Sequence, residues 1–266
     1  MRMSSWTPEV MRFMEDASAF TPYFDTLASL VREHPGADGR VCDAGCGLGQ
    51  LSVALALHAK SVDAVDRSRE AIGYVRRRIA GIPAAETVHP IAADVASLKP
   101  REPYDLMVFC LSAAPEEAWR IARTRCRGTL LVINKVQRKM RADRALIAPE
   151  KAGKTARPLV YDFGSSLEGV RMQGLVCEGR ELTLEFGQPF RSLDDAQRYF
   201  DLFRTRSYPN GASKRDLEEA LERTGDSVFP YYLPVRRHLA VFAIDVPASL
   251  ARLHDADERA RDALAG

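Results

Sequence analysis

From residue 40 onward, short apolar runs alternate with stretches whose apolar positions recur every three or four residues. That alternation predicts strands joined by crossover helices, a doubly wound and mostly parallel α/β sheet. Strands are expected near residues 41–44, 62–65, 88–92, 106–110 and 130–133. Between them Leu51, Val53, Leu55 and Leu57 open one helix, and Pro115-Glu116-Glu117 opens another with acids at its positive end. Ahead of the sheet, Thr7-Pro8 and Thr21-Pro22 each set a hydroxyl before a proline suited to a first helical turn. The second of these helices repeats apolar residues at Phe24, Leu27, Leu30 and Val31 and should bury one face.

The pattern breaks after Ile133. Residues 135–158 are basic and aperiodic, and 170–177 and 181–186 then read as an antiparallel pair turning at Glu178-Gly179. In the second of these, Leu182, Leu184 and Phe186 alternate with Glu181, Thr183 and Glu185, one face dry and one wet. Ser192-Leu193-Asp194-Asp195 resembles a capped helix start, with Leu193, Ala196, Phe200 and Phe203 on one face. Residues 213–216 repeat the device before Leu217, Ala220 and Leu221, with Gly225 as a stop. The run 239–244 is apolar on both faces and belongs inside a sheet. The expected organisation is a core of residues 1–134 and 211–247, a hairpin-and-helix cap inserted after the fifth strand at 135–210, and a C-terminal surface helix at 248–266 with a thin edge of Leu250 and Leu253.

Composition narrows this picture. With 266 residues, 46% hydrophobic and 28% charged, the chain suits a soluble globular protein with a substantial core. Thirty-eight basic residues against 36 acidic ones leave +2, which gives no general support for nucleic-acid binding. Local charge differs: Lys135, Arg138, Lys139, Arg141, Arg144, Lys151, Lys154 and Arg157 against Asp143 and Glu150 give 8 minus 2, or +6. That run is either a solvated loop or a site for an acidic substrate or RNA backbone, and it lacks interleaved aromatics for base stacking. The N-terminus has no apolar signal core and no stretch is long enough to span a bilayer, so no membrane association and a cytoplasmic location are expected. Five cysteines, an odd number in apolar surroundings, fit a reducing compartment. Cys42 and Cys46 lack the second ligand pair of a zinc site, so no metal is expected.

Asp43-Ala44-Gly45-Cys46-Gly47-Leu48-Gly49 lies directly between a predicted strand and a predicted helix. Missing side chains there let a ligand approach the backbone. Seventeen residues past Gly49, Asp66 ends the second strand, about where a carboxylate meets ribose hydroxyls, and Asp94 follows the third strand. Alone, either acid could be a helix cap.

Together these positions resemble the class I S-adenosylmethionine (SAM)-dependent methyltransferase family, over roughly residues 40–135. The resemblance implies a Rossmann-like sheet of seven strands whose last strand is antiparallel. It also implies that Asp43 lies near the methionine end of SAM, that Gly45, Gly47 and Gly49 line the cofactor, that Asp66 holds the ribose, and that Asp94 with Val95 addresses adenine. Cys46, Arg67 and Cys110 complete the expected lining. A nicotinamide enzyme is the rival reading, but its fingerprint spaces the last two glycines as G-x-x-G, and a carboxylate at Asp43 would repel pyrophosphate.

The acceptor is less legible. The loop 110–115 lacks the Asn/Asp-Pro-Pro-aromatic motif of enzymes that methylate nucleobase or glutamine amides, and no Pro-Cys dipeptide supplies a nucleophile for cytosine carbon methylation. Ser112, Tyr23 and Tyr161 are the substrate candidates; no catalytic dyad emerges. A sulfonium already makes its methyl electrophilic, so a deprotonated or soft nucleophile needs little beyond positioning, whereas a hydroxyl or protonated amine needs a base that the sequence does not identify. The expectation is methyl transfer from SAM to a small molecule, yielding S-adenosylhomocysteine (SAH), in a monomer or possible homodimer. An RNA or protein methyltransferase using the basic segment, or a protein that binds SAM without turnover, are the alternatives.

Overall fold

The computed structural model describes residues 6–136, 162–203 and 212–265. In chain order the elements are α1 (Pro8–Phe20), α2 (Tyr23–Arg32), β1 (Arg40–Ala44), α3 (Gln50–Leu55), β2 (Ser61–Asp66), α4 (Arg69–Ile79), β3 (Val88–Ala92), β4 (Tyr104–Cys110), α5 (Pro115–Ala122) and β5 (Cys126–Lys135). They continue with α6 (Phe163–Met172), β6 (Val176–Glu185), β7 (Gln188–Phe190), α7 (Leu193–Leu202), α8 (Lys214–Ala220), β8 (Glu222–Arg223), β9 (Tyr231–Leu233), β10 (Arg236–Asp245) and α9 (Val246–Ala265).

Seven strands form one sheet in the order β3-β2-β1-β4-β5-β10-β6. β1 to β5 pair in parallel, and β10 enters antiparallel, with Leu239 opposite Lys135 and Asp245 opposite Thr129. This is the mostly parallel, Rossmann-like arrangement with one reversed strand. Its central strands are dry on both faces: Val41, Val62, Leu106, Val108, Leu130 and Val132 are wholly buried. Such strands read as continuous apolar runs because helices cover both sides.

The expected hairpin at Glu178-Gly179 is corrected: one strand, β6, runs straight through that position. Residues 163–172 are helical, and Gly174 at φ +84° ends that helix. Gly179 is small for packing. A Cβ there would lie 2.9 Å from Phe163 Cζ and 3.0 Å from Leu167 Cδ1, so any side chain at this position would push the ends of these two α6 side chains aside. β6 belongs to the main sheet. Phe186 N–H donates to the Val235 carbonyl at 2.8 Å, Thr183 meets His238 at 2.8 Å, and Val176 N–H donates to Ser249 Oγ at 2.9 Å. These contacts run in opposite chain directions, so β6 is antiparallel to β10 and parallel to β5.

The chain divides into two compact units. The larger holds residues 24–136, 162–182 and 239–265 of those described, with most of the seven-stranded sheet. Its core joins Met107, Phe109, Leu130, Val132 and Phe242 to Ala118 and Trp119 of α5, with Phe163 and Leu167 of α6 packed against it. α9 starts on this core through buried Val246 and Ser249, with Leu253 packed against it; Leu250, expected on the same edge, is exposed.

The smaller unit holds residues 6–23, 183–203 and 212–238 of those described, so it includes α1 and extends beyond the segment expected to be inserted. Its sheet has the order β7-β9-β8, antiparallel throughout. Phe13 of α1 lies edge-on to Tyr199 at 5.1 Å and to Phe190 at 6.3 Å. Arg12 donates to Asp195 at 2.6 Å, and Arg191 donates to Asp16 at 2.7 Å. Ser192 caps α7, and Ser213 with Asp216 forms the capping box on α8. Thr7 caps α1 as expected, and Thr21 donates its hydroxyl to the Ala17 carbonyl at the end of that helix. No described helix is long and apolar enough to cross a membrane.

Candidate cofactor site

The carboxyl ends of β1, β2, β3 and β4 converge within the larger unit, the edge where open α/β sheets bind ligands. The loop after β1 turns because Gly45, Gly47 and Gly49 adopt φ of +82°, +56° and +76°. Gly45 and Cys46 N–H both donate to the Val65 carbonyl, at 2.8 and 3.0 Å, which ties the loop to β2. Two of these glycines also clear space. A Cβ at Gly45 would lie 2.5 Å from Ser112 Cβ, and one at Gly49 would lie 3.0 Å from both Val75 methyls.

Asp66 organises the loop from the side. Its Oδ2 accepts from Gly47 N–H at 3.0 Å and its Oδ1 accepts from Ser68 N–H at 2.8 Å. Ser68 in turn caps α4 through Ala71 N–H at 3.1 Å. The carboxylate is half-buried, and each oxygen has a second lone pair with which it can accept from a ribose hydroxyl. Asp94 is exposed and accepts from Ala96 N–H at 2.8 Å, capping a short turn at Val95–Ser97. A backbone bond from Ala93 N–H to the Asp66 carbonyl at 3.0 Å joins the ends of β2 and β3, placing Asp94 close to Asp66. Val95 is half-buried and Arg67 exposed.

Asp43 is 1% exposed and accepts from Ser52 Oγ at 2.6 Å. Burial pushes its carboxyl up to about 6, with the charge of Asp66 adding to the rise and the Ser52 bond opposing it. Two carboxylates close enough to sense each other favour a cationic ligand and disfavour a pyrophosphate. Burial likewise raises the Cys110 thiol to about 12 and the Cys46 thiol well above its ordinary value, so both remain protonated and neither is a nucleophile.

The substrate candidates fare differently. Ser112 sits over Gly45, but its hydroxyl already donates to the Ala44 carbonyl at 2.7 Å and braces the loop after β4. Tyr23 is 2% exposed, with its ring tilted on Phe186 at 4.5 Å, and belongs to the smaller unit. Tyr161 and most of the basic run, beyond Lys135, lie outside the described residues.

Three features were not anticipated. Ser52 stands on the buried face of α3, nine residues after the carboxyl it holds. Leu111 takes φ 58°, a conformation a non-glycine residue rarely adopts. Asn134 is the one polar side chain in the apolar run 130–134, a signal visible in the sequence, and it is wholly buried.

Residues 41–130 match a family model described as a methyltransferase domain. This matched segment, 90 of 266 residues, contains β2 to β4, all of β1 but Arg40, and every cofactor candidate named above. No curated protein matches the chain. Among solved structures, a putative methyltransferase from Bacillus halodurans C-125 is similar at 14% identity and TM-score 0.49, covering 84% of this chain and 98% of that one. Magnesium protoporphyrin IX methyltransferase from Synechocystis PCC 6803, with bound SAM, is similar at 16% identity and TM-score 0.44, covering 91% and 86%. A putative RNA methyltransferase from Pyrococcus horikoshii is similar at 13% identity and TM-score 0.46, covering 84% and 81%. Likenesses at this level speak to neither acceptor nor partner.

Proposed function

We infer that a chain with a methyltransferase domain at residues 41–130 on this sheet order is a class I SAM-dependent methyltransferase, and we propose that it methylates a small molecule and releases SAH. The observation that carries the cofactor reading is the pair of carboxylates, Asp43 and Asp66, flanking a glycine loop with no side chain at Gly45. SAM would supply an electrophilic methyl on a sulfonium. Asp66 would accept from the ribose hydroxyls, and Asp43 would draw the ammonium end toward β1. Gly45 and Gly47 would let the ligand lie against the backbone, and Asp94 with Val95 would border the adenine.

The protein's contribution is then alignment and exclusion of water, which together can supply on the order of 7 to 11 kcal/mol of barrier lowering. A small-molecule acceptor is favoured by the near-neutral total charge of +2. The local +6 between Lys135 and Arg157 supports a second reading, with an RNA acceptor. Incubating the protein with radiolabelled SAM and, separately, a metabolite extract and total RNA separates the two. Label in the small-molecule fraction supports the first reading; label in RNA, with binding that falls steeply with salt, overturns it.

A further inference from the structure

Among the described residues Leu111 alone holds a positive φ without being glycine, at 58°; the seven other such positions are all glycine. A leucine in this region crowds its own backbone, and glycine would relieve the crowding. Hydrogen bonds hold the turn in place. Leu111 N–H donates to the Ile133 carbonyl at 2.8 Å, Ser112 Oγ donates to the Ala44 carbonyl at 2.7 Å, and Asn134 Nδ2 donates to the Ala113 carbonyl at 2.9 Å. These bonds use only the backbone of Leu111, so glycine would satisfy them equally. What leucine adds is its side chain, and residues strained in this way collect at ligand sites.

The core does not claim that side chain. Phe109 and Ala113 belong to the cluster beneath α5, whereas Leu111 is only half-buried and, among the described residues, is not packed against that cluster. Ser112 beside it is exposed, so the stretch opens to solvent at the carboxyl edge of the sheet. There β3, β2, β1 and β4 end side by side, with Asp94, Asp66, Gly45 and Leu111 at their ends or within two residues of them. With adenine bordered by Asp94 and ribose held by Asp66, the sulfur-bearing arm of SAM is left for the ends of β1 and β4, about 4.8 Å apart. Ser112 closes on Gly45 across that spacing, since a Cβ on Gly45 would lie 2.5 Å from Ser112 Cβ.

We propose that the Leu111 side chain packs against the sulfur-bearing arm of the cofactor and forms an apolar wall of the methyl site. The inference rests on the cofactor reading above. A leucine there keeps water from the methyl carbon. It also favours the neutral sulfur of SAH over the charged sulfonium of SAM, because apolar surroundings penalise charge.

Calorimetry on the full-length protein with SAH, SAM and adenosine provides the test. Leu111→Asn nearly preserves the side chain's shape and tolerates the left-handed conformation, so it keeps the turn and removes the apolar wall. It should weaken SAH about fivefold, as loss of a partly buried leucine contact does, weaken SAM less, and leave adenosine, which lacks the arm, unchanged. Leu111→Gly should weaken SAH by a similar factor and melt about 2–4 °C above Leu111→Ala, reversing the usual order of these two residues. Wild-type affinity for SAH in the Asn and Gly variants, an unchanged ratio of SAH to SAM affinity in Leu111→Asn, adenosine weakened as much as SAH, or an alanine variant that melts at or above the glycine variant each overturn the proposal. If the wild-type protein binds no SAH, the cofactor reading itself fails; if it binds SAH and the variants bind equally well, only the role of Leu111 fails.

Discussion

Asp43→Asn should make the ligand-free protein more stable at neutral pH while weakening its hold on SAM. Raising the carboxyl from its usual 3.8 to about 6 corresponds to on the order of 3 kcal/mol of folding stability that depends on the proton. Below 3.8 the group is protonated in both folded and unfolded chains, and that stability is fully present. It is lost as pH rises toward about 6, where the unfolded chain ionises and the buried carboxyl resists, and above about 6 the loss is complete. Asparagine has no such titration, and its side-chain oxygen can still accept from Ser52. The variant should therefore match wild type near pH 3.5, gain between pH 4 and 6, and exceed wild type by up to ~3 kcal/mol at pH 8. Urea unfolding of both proteins across this range, followed by fluorescence of buried Trp119, measures the difference while shared titrations cancel. A variant less stable than wild type at pH 8, or a difference that does not change with pH, would refute the reasoning. Calorimetry should show weaker SAM binding by the same variant, the usual exchange of stability for function at a binding site.

Asp66→Ala should weaken SAM binding by roughly 1–3 kcal/mol, since hydrogen bonds to a charged acceptor are lost, and should also lower the melting temperature because Gly47 and Ser68 N–H lose their partner. Unchanged calorimetric affinity would remove Asp66 from the site. Gly45→Ala combines φ +82° with a Cβ 2.5 Å from Ser112 Cβ, so it should abolish detectable SAM binding; retention of affinity would show that the loop has another shape. Gly179→Ala should cost about 1–3 kcal/mol by overpacking against Phe163 and Leu167, read as a lower melting temperature, whereas a hairpin turn at this position would leave the packing untouched.

Much of the larger unit was legible because its strands are buried on both faces. Val41, Val62, Leu106 and Leu130 sit in continuous apolar runs that only a covered parallel sheet explains. The glycine loop was legible too, since Gly45 and Gly47 take positive φ beside carboxylates at strand ends. β6 was misread because its alternation of Leu182 and Leu184 with Glu181 and Thr183 suits an edge strand as well as a hairpin arm. Gly179 resembled a turn while serving the approach of α6, a distinction that depends on residues distant in the chain. The role of Asn134 depends on the Ala113 carbonyl 21 residues away, which no local pattern displays.

The central claim is that the loop from Asp43 to Gly49 holds SAM, and calorimetric titration of the full chain with SAM, SAH and NAD(H) tests it most directly. The account predicts one SAM or SAH bound per chain, weakened by Asp66→Ala, and no heat from either nicotinamide dinucleotide. Saturable binding of NAD(H), or no binding of SAM and SAH at millimolar concentration, would contradict it.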